Sequence, residues 1–285
     1  KLAKTVTMIK EGGKIAQHLD LIAGLPEEDY VSFRKTFNDV FALRPEELQL
    51  GFLKMLRGTG LRLRADEHQY VYMDRAPYEV LSNNVLSFNE IVRIKQVEDV
   101  LEKYWNDHRM DHTMEYIIQH LFETPFDFFQ AFGTFWNEQG WARIGHQPED
   151  LFKRLHRFLK TIKTKDLPLI EGLMKYDYLM HQKHKPRKPW WNNPLQKSDR
   201  SAILDQLLKQ PHLLGDSFQQ LALSEKEFVK HTVFDVIPFD ILHYVNNGEL
   251  NQTESLLLVY YHPKSNEPQA FSAPIHKFKQ SSAPA

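Results

Sequence analysis

The order of elements in the first 56 residues restricts the fold of this 285-residue chain more than any other feature. Residues 18–23 (HLDLIA) and 48–53 (LQLGFL) are apolar runs with the length of buried strands. Between them, residues 30–40 carry an apolar side chain at every third or fourth position, which indicates a helix with one buried face. A strand, a helix and a strand in this order predict a right-handed parallel βαβ unit. Because two strands are too few for a stable sheet, we expect other strands to complete it.

The ends of this helix are predicted from charge and proline. We place Glu27, Glu28 and Asp29 in its first turn, where the helix dipole favours negative charge. We place its end at Pro45, because proline cannot continue a helix.

Most of the remaining chain is predicted to be helical. Ser87 and Glu90 have the spacing of a capping box and open one helix. Further helical signals lie near residues 112–122, 125–138, 148–163, 167–180, 198–209 and 224–230. Towards the end, residues 233–244 and 255–261 flank an Asn-Asn-Gly turn signal and are predicted to be strands.

Composition excludes several kinds of site. The chain has no cysteine, so it supplies no disulfide, no thiolate ligand for zinc or an iron–sulfur cluster, and no cysteine nucleophile. Its 36 Lys and Arg nearly balance 37 Asp and Glu, which argues against a surface that coats nucleic acid or membranes. No apolar stretch approaches the roughly 20 residues that cross a bilayer. We therefore expect no membrane partner, and the absence of cysteine fits a cytoplasmic location.

Two further groups of residues permit more than one interpretation. Two histidines and two acids have helical spacing and could ligate a metal on one helix face: His108, Asp111, His112 and Glu115. We favour a helix junction instead and assign no metal ligand.

Residues 181–200 hold six Lys or Arg and one Asp, together with Trp190 and Trp191. This basic loop is either a solvated linker or a surface that binds nucleic acid, and we expect nucleic acid to be an unlikely partner.

Several phrases of the sequence resemble one family. They are DLIAGLP, LQLGFLKMLRGTGLR, YVYMDRAPYEVLSNNVLSFNEIVRIK and ETPFDFFQAF. The first two resemble the later part of a radical S-adenosylmethionine barrel. The series as a whole resembles the C-terminal half of proteins with an upstream cobalamin-binding domain, such a barrel, and a helical C-terminal domain of unknown function. The resemblance extends to about residue 260.

The resemblance implies the last strands of a partial (β/α)6 barrel over residues 1–60, an α/β fold. A mostly helical domain with a small C-terminal sheet would follow over residues 61–280, with its strand-rich end at 232–278.

The resemblance also implies a set of cofactor-binding residues. In such barrels the first of these strands holds a loose G-x-I-x-G-x-x-E element beside the adenine, and Ile22, Gly24 and Glu27 match it, while Asp20 replaces the first Gly. Ile22 would pack on adenine, Asp20 would accept hydrogen bonds from ribose hydroxyls, and Gly24 would let the backbone approach the ligand. Glu27 would support the turn rather than touch the ligand.

Two residues of the second strand complete the predicted site. Gln49 and Lys54 lie on this strand or just past it and are expected to line the same site. The same residues also fit ordinary structural roles, with Asp20 as a cap and Ile22 as core.

The chain lacks the residues that bind the iron–sulfur cluster in this family. Radical-SAM chemistry needs three cysteines that hold a four-iron four-sulfur cluster, and this chain has none. We expect a C-terminal piece of a longer enzyme, inactive alone and without catalytic residues of its own. Its partners would be the missing barrel part and the cobalamin-binding domain. S-adenosylmethionine, the cluster and, if that domain is functional, cobalamin would be cofactors of the parent.

The alternative is a stand-alone, non-catalytic binding or scaffold module that binds protein or nucleic acid through the basic aromatic loop. The substrate is open.

Overall fold

The fold is mixed, about half helical with a few small sheets. A computed structural model describes residues 2–13 and 15–278. The chain divides into two units: Lys1–His108 with Met114–Gly145, and Arg109–Thr113 with His146–Ala285. The boundary predicted near residue 60 therefore lies inside the first unit. None of the described helices is long and apolar enough to span a bilayer.

The first half of the chain contains short strands among helices. In chain order, the elements are α1 (Leu2–Glu11), β1 (His18–Ala23), α2 (Tyr30–Phe41), β2 (Glu47–Phe52), α3 (Gly60–Leu63), a 3-10 turn (Ala65–His68), β3 (Val71–Tyr72), β4 (Val80–Ser82), α4 (Phe88–Leu101), a π-helical turn (Glu102–Asn106), α5 (Asp111–His120), α6 (Pro125–Glu138) and a 3-10 turn (Trp141–Arg143).

The predicted parallel pairing of the first two strands is confirmed. β1 and β2 pair in parallel over their full length, with α2 between them in the chain. Within the described residues they form a sheet of two strands, separate from the antiparallel pair β3–β4. Two strands do not define a barrel, so the partial (β/α)6 barrel remains a prediction.

The predicted ends of α2 are wrong. Asp29 is the N-cap, and its side chain accepts a hydrogen bond from the Ser32 amide at 2.8 Å. The preceding acids therefore lie outside the helix, and Glu27 has a φ of 65°, which no helical residue adopts. The helix also ends at Phe41, before Pro45.

Aromatic rings pack α2 against α6, and α4 crosses the same helix closely. Phe33, Phe37 and Phe41 of α2 are buried, and the Phe37 ring meets the Phe126 ring edge-on at 5.4 Å. α4 approaches α6 so closely that a Cβ on Gly133 would lie 2.3 Å from the Gln96 carbonyl oxygen. This helix pair therefore needs a glycine at its crossing. The capping box of Ser87 and Glu90 that begins α4 is also confirmed.

The second half of the chain is helical before it ends in a sheet. Its elements are α7 (Pro148–Ile162), α8 (Leu167–Met180), α9 (Lys197–Lys209), a 3-10 turn (Pro211–Leu214), α10 (Asp216–Gln219), α11 (Glu225–His231), β5 (Thr232–Ile237), α12 (Ile241–Asn247), β6 (Ser255–Tyr260), β7 (Gln269–Pro274) and a 3-10 turn (Ile275–Lys277).

The C-terminal sheet differs from the prediction in three ways. The long strand predicted over 233–244 is wrong, because β5 ends at Ile237 and Asp240 caps α12 by accepting from the His243 amide. Gly248, the last residue of the Asn-Asn-Gly turn signal, is the left-handed C-cap of α12 with a φ of 74°. The sheet gains β7 as a third strand, in the antiparallel order β5-β6-β7.

The middle strand of this sheet, β6, is part of the apolar core of the second unit. All six residues of β6 are buried. Ile203 and Leu207 of α9 and Phe228 of α11 belong to the same apolar cluster as Leu256 and Leu258 of this strand. The helices before the sheet thus cover it and bury its apolar side chains.

The glycine at the crossing of α4 and α6 gives a test of the packing. Gly133→Ala should lower the free energy of unfolding by about 3 kcal/mol, because backbone atoms of Gln96 occupy the space of the new methyl group. Urea denaturation measures this change. The matched control is Gly60→Ala, where a Cβ meets nothing within 4 Å, and which should cause no loss. Equal effects of the two substitutions would contradict the close crossing.

Candidate functional site

One face of the β1–β2 sheet is exposed, and we call it the open face. Most of the residues predicted to bind a ligand lie on it. The strands pair so that Asp20 lies beside Gln49 and Ile22 lies beside Gly51. Because alternate residues of a strand point to the same side, these four positions share one face. Asp20 and Gln49 are exposed, and Ile22 is 46% exposed.

The opposite face of the same two strands belongs to the core. Leu21 and Ala23 of β1 and Leu48 and Leu50 of β2 are buried. Parallel sheets usually have both faces covered, so an open face that carries both apolar and polar side chains is unusual. The sheet therefore has one buried face and one exposed face, and the exposed face is a candidate binding surface.

A depression of about 390 Å³ lies on this open face. Asp20, Ile22, Gln49 and Lys54 line it together with Gly51. Gly51 has no side chain, and a Cβ there would meet only the Leu21 carbonyl oxygen, at 3.7 Å. The sequence interpretation missed Gly51, although a lone glycine inside a strand is a recognised signal for close approach of another group.

Cations lie at the carboxyl end of β2. Lys54 is exposed, and its backbone forms an isolated antiparallel bridge with Glu79. The Glu79 carboxylate is paired with Lys95 Nζ at 2.5 Å, and this ammonium lies 4.0 Å from the centre of the Phe52 ring. The depression therefore has the Asp20 carboxylate within the sheet and the Lys54 ammonium group just beyond the end of β2, whereas the charge of Lys95 is paired with Glu79.

Gly24 and Glu27 do not line the depression. Gly24 is buried with a φ of 92°, and its carbonyl accepts a hydrogen bond from the Tyr70 hydroxyl at 2.9 Å. The structural reason for glycine here is the left-handed backbone at the end of β1. Glu27 is exposed in the turn that follows. The polar chemistry available at the depression therefore comes from the Asp20 carboxylate, the Gln49 amide and the Lys54 ammonium group, beside apolar residues such as Ile22 and Phe52.

A comparison with models of known families finds a match, which begins after β2 and extends into β6. The model of a family described as "Protein of unknown function (DUF4080)" matches residues 66–259, more than half of the chain. The chain belongs to this family. A search of curated proteins finds no match. The open face, at residues 20–54, precedes the segment matched by DUF4080.

A histidine–aspartate pair lies within the DUF4080 segment. His112 Nδ1 donates to Asp177 Oδ1 at 2.8 Å, and the amide and hydroxyl of Thr113 donate to Asp177 Oδ2 at 2.9 and 2.6 Å. The Asp177 side chain is buried, whereas the His112 side chain is 39% exposed. The hydrogen bond that His112 donates to Asp177 raises the pKa of His112, because it stabilises the protonated ring more than burial destabilises it.

The four residues whose spacing permitted a metal site have other partners in the structure, and His112 forms the pair with Asp177. α5 begins at Asp111, so His108 lies outside the helix, with a φ of 51° and its Nε2 at 2.7 Å from the Glu46 carbonyl oxygen. Glu115 accepts from Arg44 at 3.0 Å. Among the residues that the structure describes, no three His, Asp or Glu side chains are arranged to hold a metal.

A buried carboxylate holds the basic loop. Asp235 on β5 is fully buried, and its Oδ2 accepts from Trp191 Nε1 at 2.6 Å and Lys175 Nζ at 3.0 Å. Trp190 stacks on Phe152, with ring centres 6.3 Å apart. Both indole rings therefore contact protein groups, which favours a structural role for the tryptophans of residues 181–200.

The two tryptophans provide a matched test of this anchor. Trp191→Phe should lower the free energy of unfolding by about 2 kcal/mol more than Trp190→Phe does, because it removes a hydrogen bond to a buried carboxylate. Among the described residues, the buried Trp190 Nε1 has no hydrogen-bond partner, so the two variants differ in the lost bond. Urea denaturation measures both. A larger loss for Trp190→Phe would show that ring packing, not the Asp235 bond, dominates.

The histidine–aspartate pair predicts a pH-dependent contribution to stability. A pKa that is raised in the folded state means that protonated His112 stabilises the fold. The contribution is full below the unfolded pKa of about 6.5 and is lost as the pH rises through the folded value. His112→Gln should therefore destabilise the protein most at acidic pH, and the difference should shrink towards pH 8.

NMR titration of the His112 ring measures the cause of this effect. The midpoint should lie above the ordinary histidine value and should fall in Asp177→Asn, which removes the negative charge. A midpoint that is unchanged by Asp177→Asn would show that another group sets it.

Proposed function

We propose that this chain is the C-terminal part of a radical S-adenosylmethionine enzyme and that the open face of β1–β2 contributes to the adenosyl site. The remainder of the enzyme would contain the rest of the barrel and an upstream cobalamin-binding domain, as the sequence resemblance implies. The DUF4080 segment would supply a surface for the substrate or a partner.

The observation that supports this proposal is the register of the two strands. The pairing puts Asp20, Ile22, Gln49 and Gly51 side by side on an open face of a parallel βαβ unit. In folds built from such units, ligands bind at the carboxyl ends of the parallel strands. The depression on this face extends to Lys54, just beyond the carboxyl end of β2.

The residues at this face suit the parts of an adenosyl group. Asp20 would accept hydrogen bonds from the ribose hydroxyls, as a carboxylate does in dinucleotide sites. Ile22 would pack on the adenine ring, and Gly51 would leave space beside it. When bound beside a reduced iron–sulfur cluster, S-adenosylmethionine supplies a reagent that abstracts hydrogen atoms.

The residues of this chain do not fit the cluster itself. An iron–sulfur cluster of this kind is held by thiolates, and the chain has no cysteine. The ligands would therefore come from the rest of the enzyme, and this chain alone would bind the nucleoside without reacting with it. Its own residues orient the adenosyl group and exclude water from one side of it.

The alternative is a stand-alone, non-catalytic binding or scaffold module that binds protein or nucleic acid through the basic loop. The exposed edge of the β1–β2 sheet would also suit the addition of a strand from a protein partner. The basic loop suits nucleic acid less well, because its tryptophans contact protein groups.

Titration with S-adenosylhomocysteine, an unreactive analogue, tests the adenosyl site on this chain. We expect amide NMR shifts at Ile22, Gly51 and their neighbours. Asp20→Ala should weaken the affinity about tenfold, because it removes charge-assisted hydrogen bonds to the ribose. Glu67→Ala is the matched control, because it removes an exposed acid outside the depression and should leave the affinity unchanged.

The native protein provides the second half of this test. An intact mass well above that of a 285-residue chain, with cysteines in the added part, is expected. The reconstituted enzyme should then cleave S-adenosylmethionine. No shifts with the analogue, together with a native mass equal to that of this chain, would overturn the proposal and favour the binding module.

A further inference from the structure

A second cavity, of about 400 Å³, lies in the C-terminal part of the chain and is independent of the open face. The basic loop, the first turns of α9, and α11 with the start of β5 contribute to its walls. A volume of this size is typical of pockets for small ligands. Its residues belong to one structural unit, so its shape depends only on that unit.

Three cations line this cavity. All three belong to residues 181–200, but the prediction of a loop to residue 200 is wrong at its end, because α9 begins at Lys197. Lys185 therefore comes from the loop, and Lys197 and Arg200 lie in the first turns of α9. In the part of the chain that the structure describes, none of the three has a carboxylate within 4.0 Å. The acid of the same turn, Asp199, lines a different cavity. The walls therefore carry an excess of positive charge.

The contacts of these cations leave their charge uncompensated. Lys185 Nζ donates to the Val229 carbonyl oxygen at 2.6 Å, and the Arg200 guanidinium lies 5.5 Å from the centre of the Phe234 ring. Burial lowers the pKa of Lys185, and repulsion by Arg200 lowers it further. A carbonyl and an aromatic ring hold the cations in place without neutralising them.

The rest of the lining is largely apolar. Leu204 of α9 and Phe228 of α11 line the cavity, and Val229 contributes a side chain that is 52% exposed. An exposed valine inside a pocket offers surface that an apolar group would remove from water. Ser201 and Thr232 also line the cavity, and the Thr232 hydroxyl donates to the Phe228 carbonyl oxygen at 2.7 Å. The cavity thus combines positive charge with an apolar wall.

We propose that this cavity binds a small soluble organic anion, with its phosphate or carboxylate group at Lys197 and Arg200 and its apolar body against Leu204 and Val229. Guanidinium and ammonium groups bind such anions by charge-assisted hydrogen bonds. The basic character of residues 181–200 then serves a ligand site rather than a solvated linker. This site does not depend on the proposed adenosyl site.

Phenyl phosphate is a suitable probe, because it joins one anionic group to one apolar ring. We expect saturable binding to the full chain, with amide NMR shifts at Ser201, Val229 and Thr232. Arg200→Gln should weaken this binding about tenfold. Inorganic phosphate should bind at least about tenfold more weakly than phenyl phosphate, because it gains nothing from the apolar wall.

Lys209→Gln is the matched control for charge. Lys209 is an exposed cation in the last turn of the same helix, outside the cavity, so its loss should leave the affinity unchanged. Equal weakening by Lys209→Gln and Arg200→Gln would overturn the proposal, because it would show general attraction to a basic helix.

Three other results would also overturn the proposal. These are the absence of saturation by phenyl phosphate, equal affinity for inorganic phosphate, and NMR shifts away from the cavity. If phenyl phosphate does not bind but the protein sediments with phosphatidic acid vesicles, the ligand of the cavity is a membrane surface and not a soluble anion. If the protein binds only short single-stranded RNA, the ligand is nucleic acid.

Discussion

The parallel pairing of β1 with β2 is the constraint on which the candidate site depends. In this register, Leu21 and Leu50 point into the core, and Asp20 and Ile22 point outwards. A shift of one residue would reverse both faces, so burial of the leucines holds the register. The polar and apolar side chains of the open face are therefore positioned by the packing on the opposite side.

Buried carboxylates have a comparable role in the second unit. Asp235 receives hydrogen bonds from Trp191 and Lys175, and Asp177 receives them from His112 and Thr113. A buried charge that loses one of its partners is costly, so each carboxylate fixes the segments that supply its donors. The basic loop is held beside the sheet in this way, and the cations near its end are held beside an apolar cavity wall.

Local signals predicted much of the secondary structure. The capping box at Ser87, the helical signal over residues 125–138 and the apolar periodicity of α2 each depend on neighbouring residues, and the structure contains all three helices. The errors arose where two local signals competed. The apolar residues 233–244 suit a strand throughout, but Asp240 provides an N-cap and Gly248 a C-cap, so the second part folds as α12.

The sequence by itself determined that the chain has no thiolate chemistry, that it contains a βαβ unit, and that Asp20, Ile22, Gln49 and Lys54 lie on or near its strands. Only the tertiary structure decided that Gly51 lies beside Ile22, that Trp191 reaches Asp235, and that three cations meet around one cavity. The physical reason is the range of the interactions. Periodicity and capping act over a few residues, whereas Trp191 and Asp235 are 44 residues apart in the chain, and the packing of the whole unit brings them together.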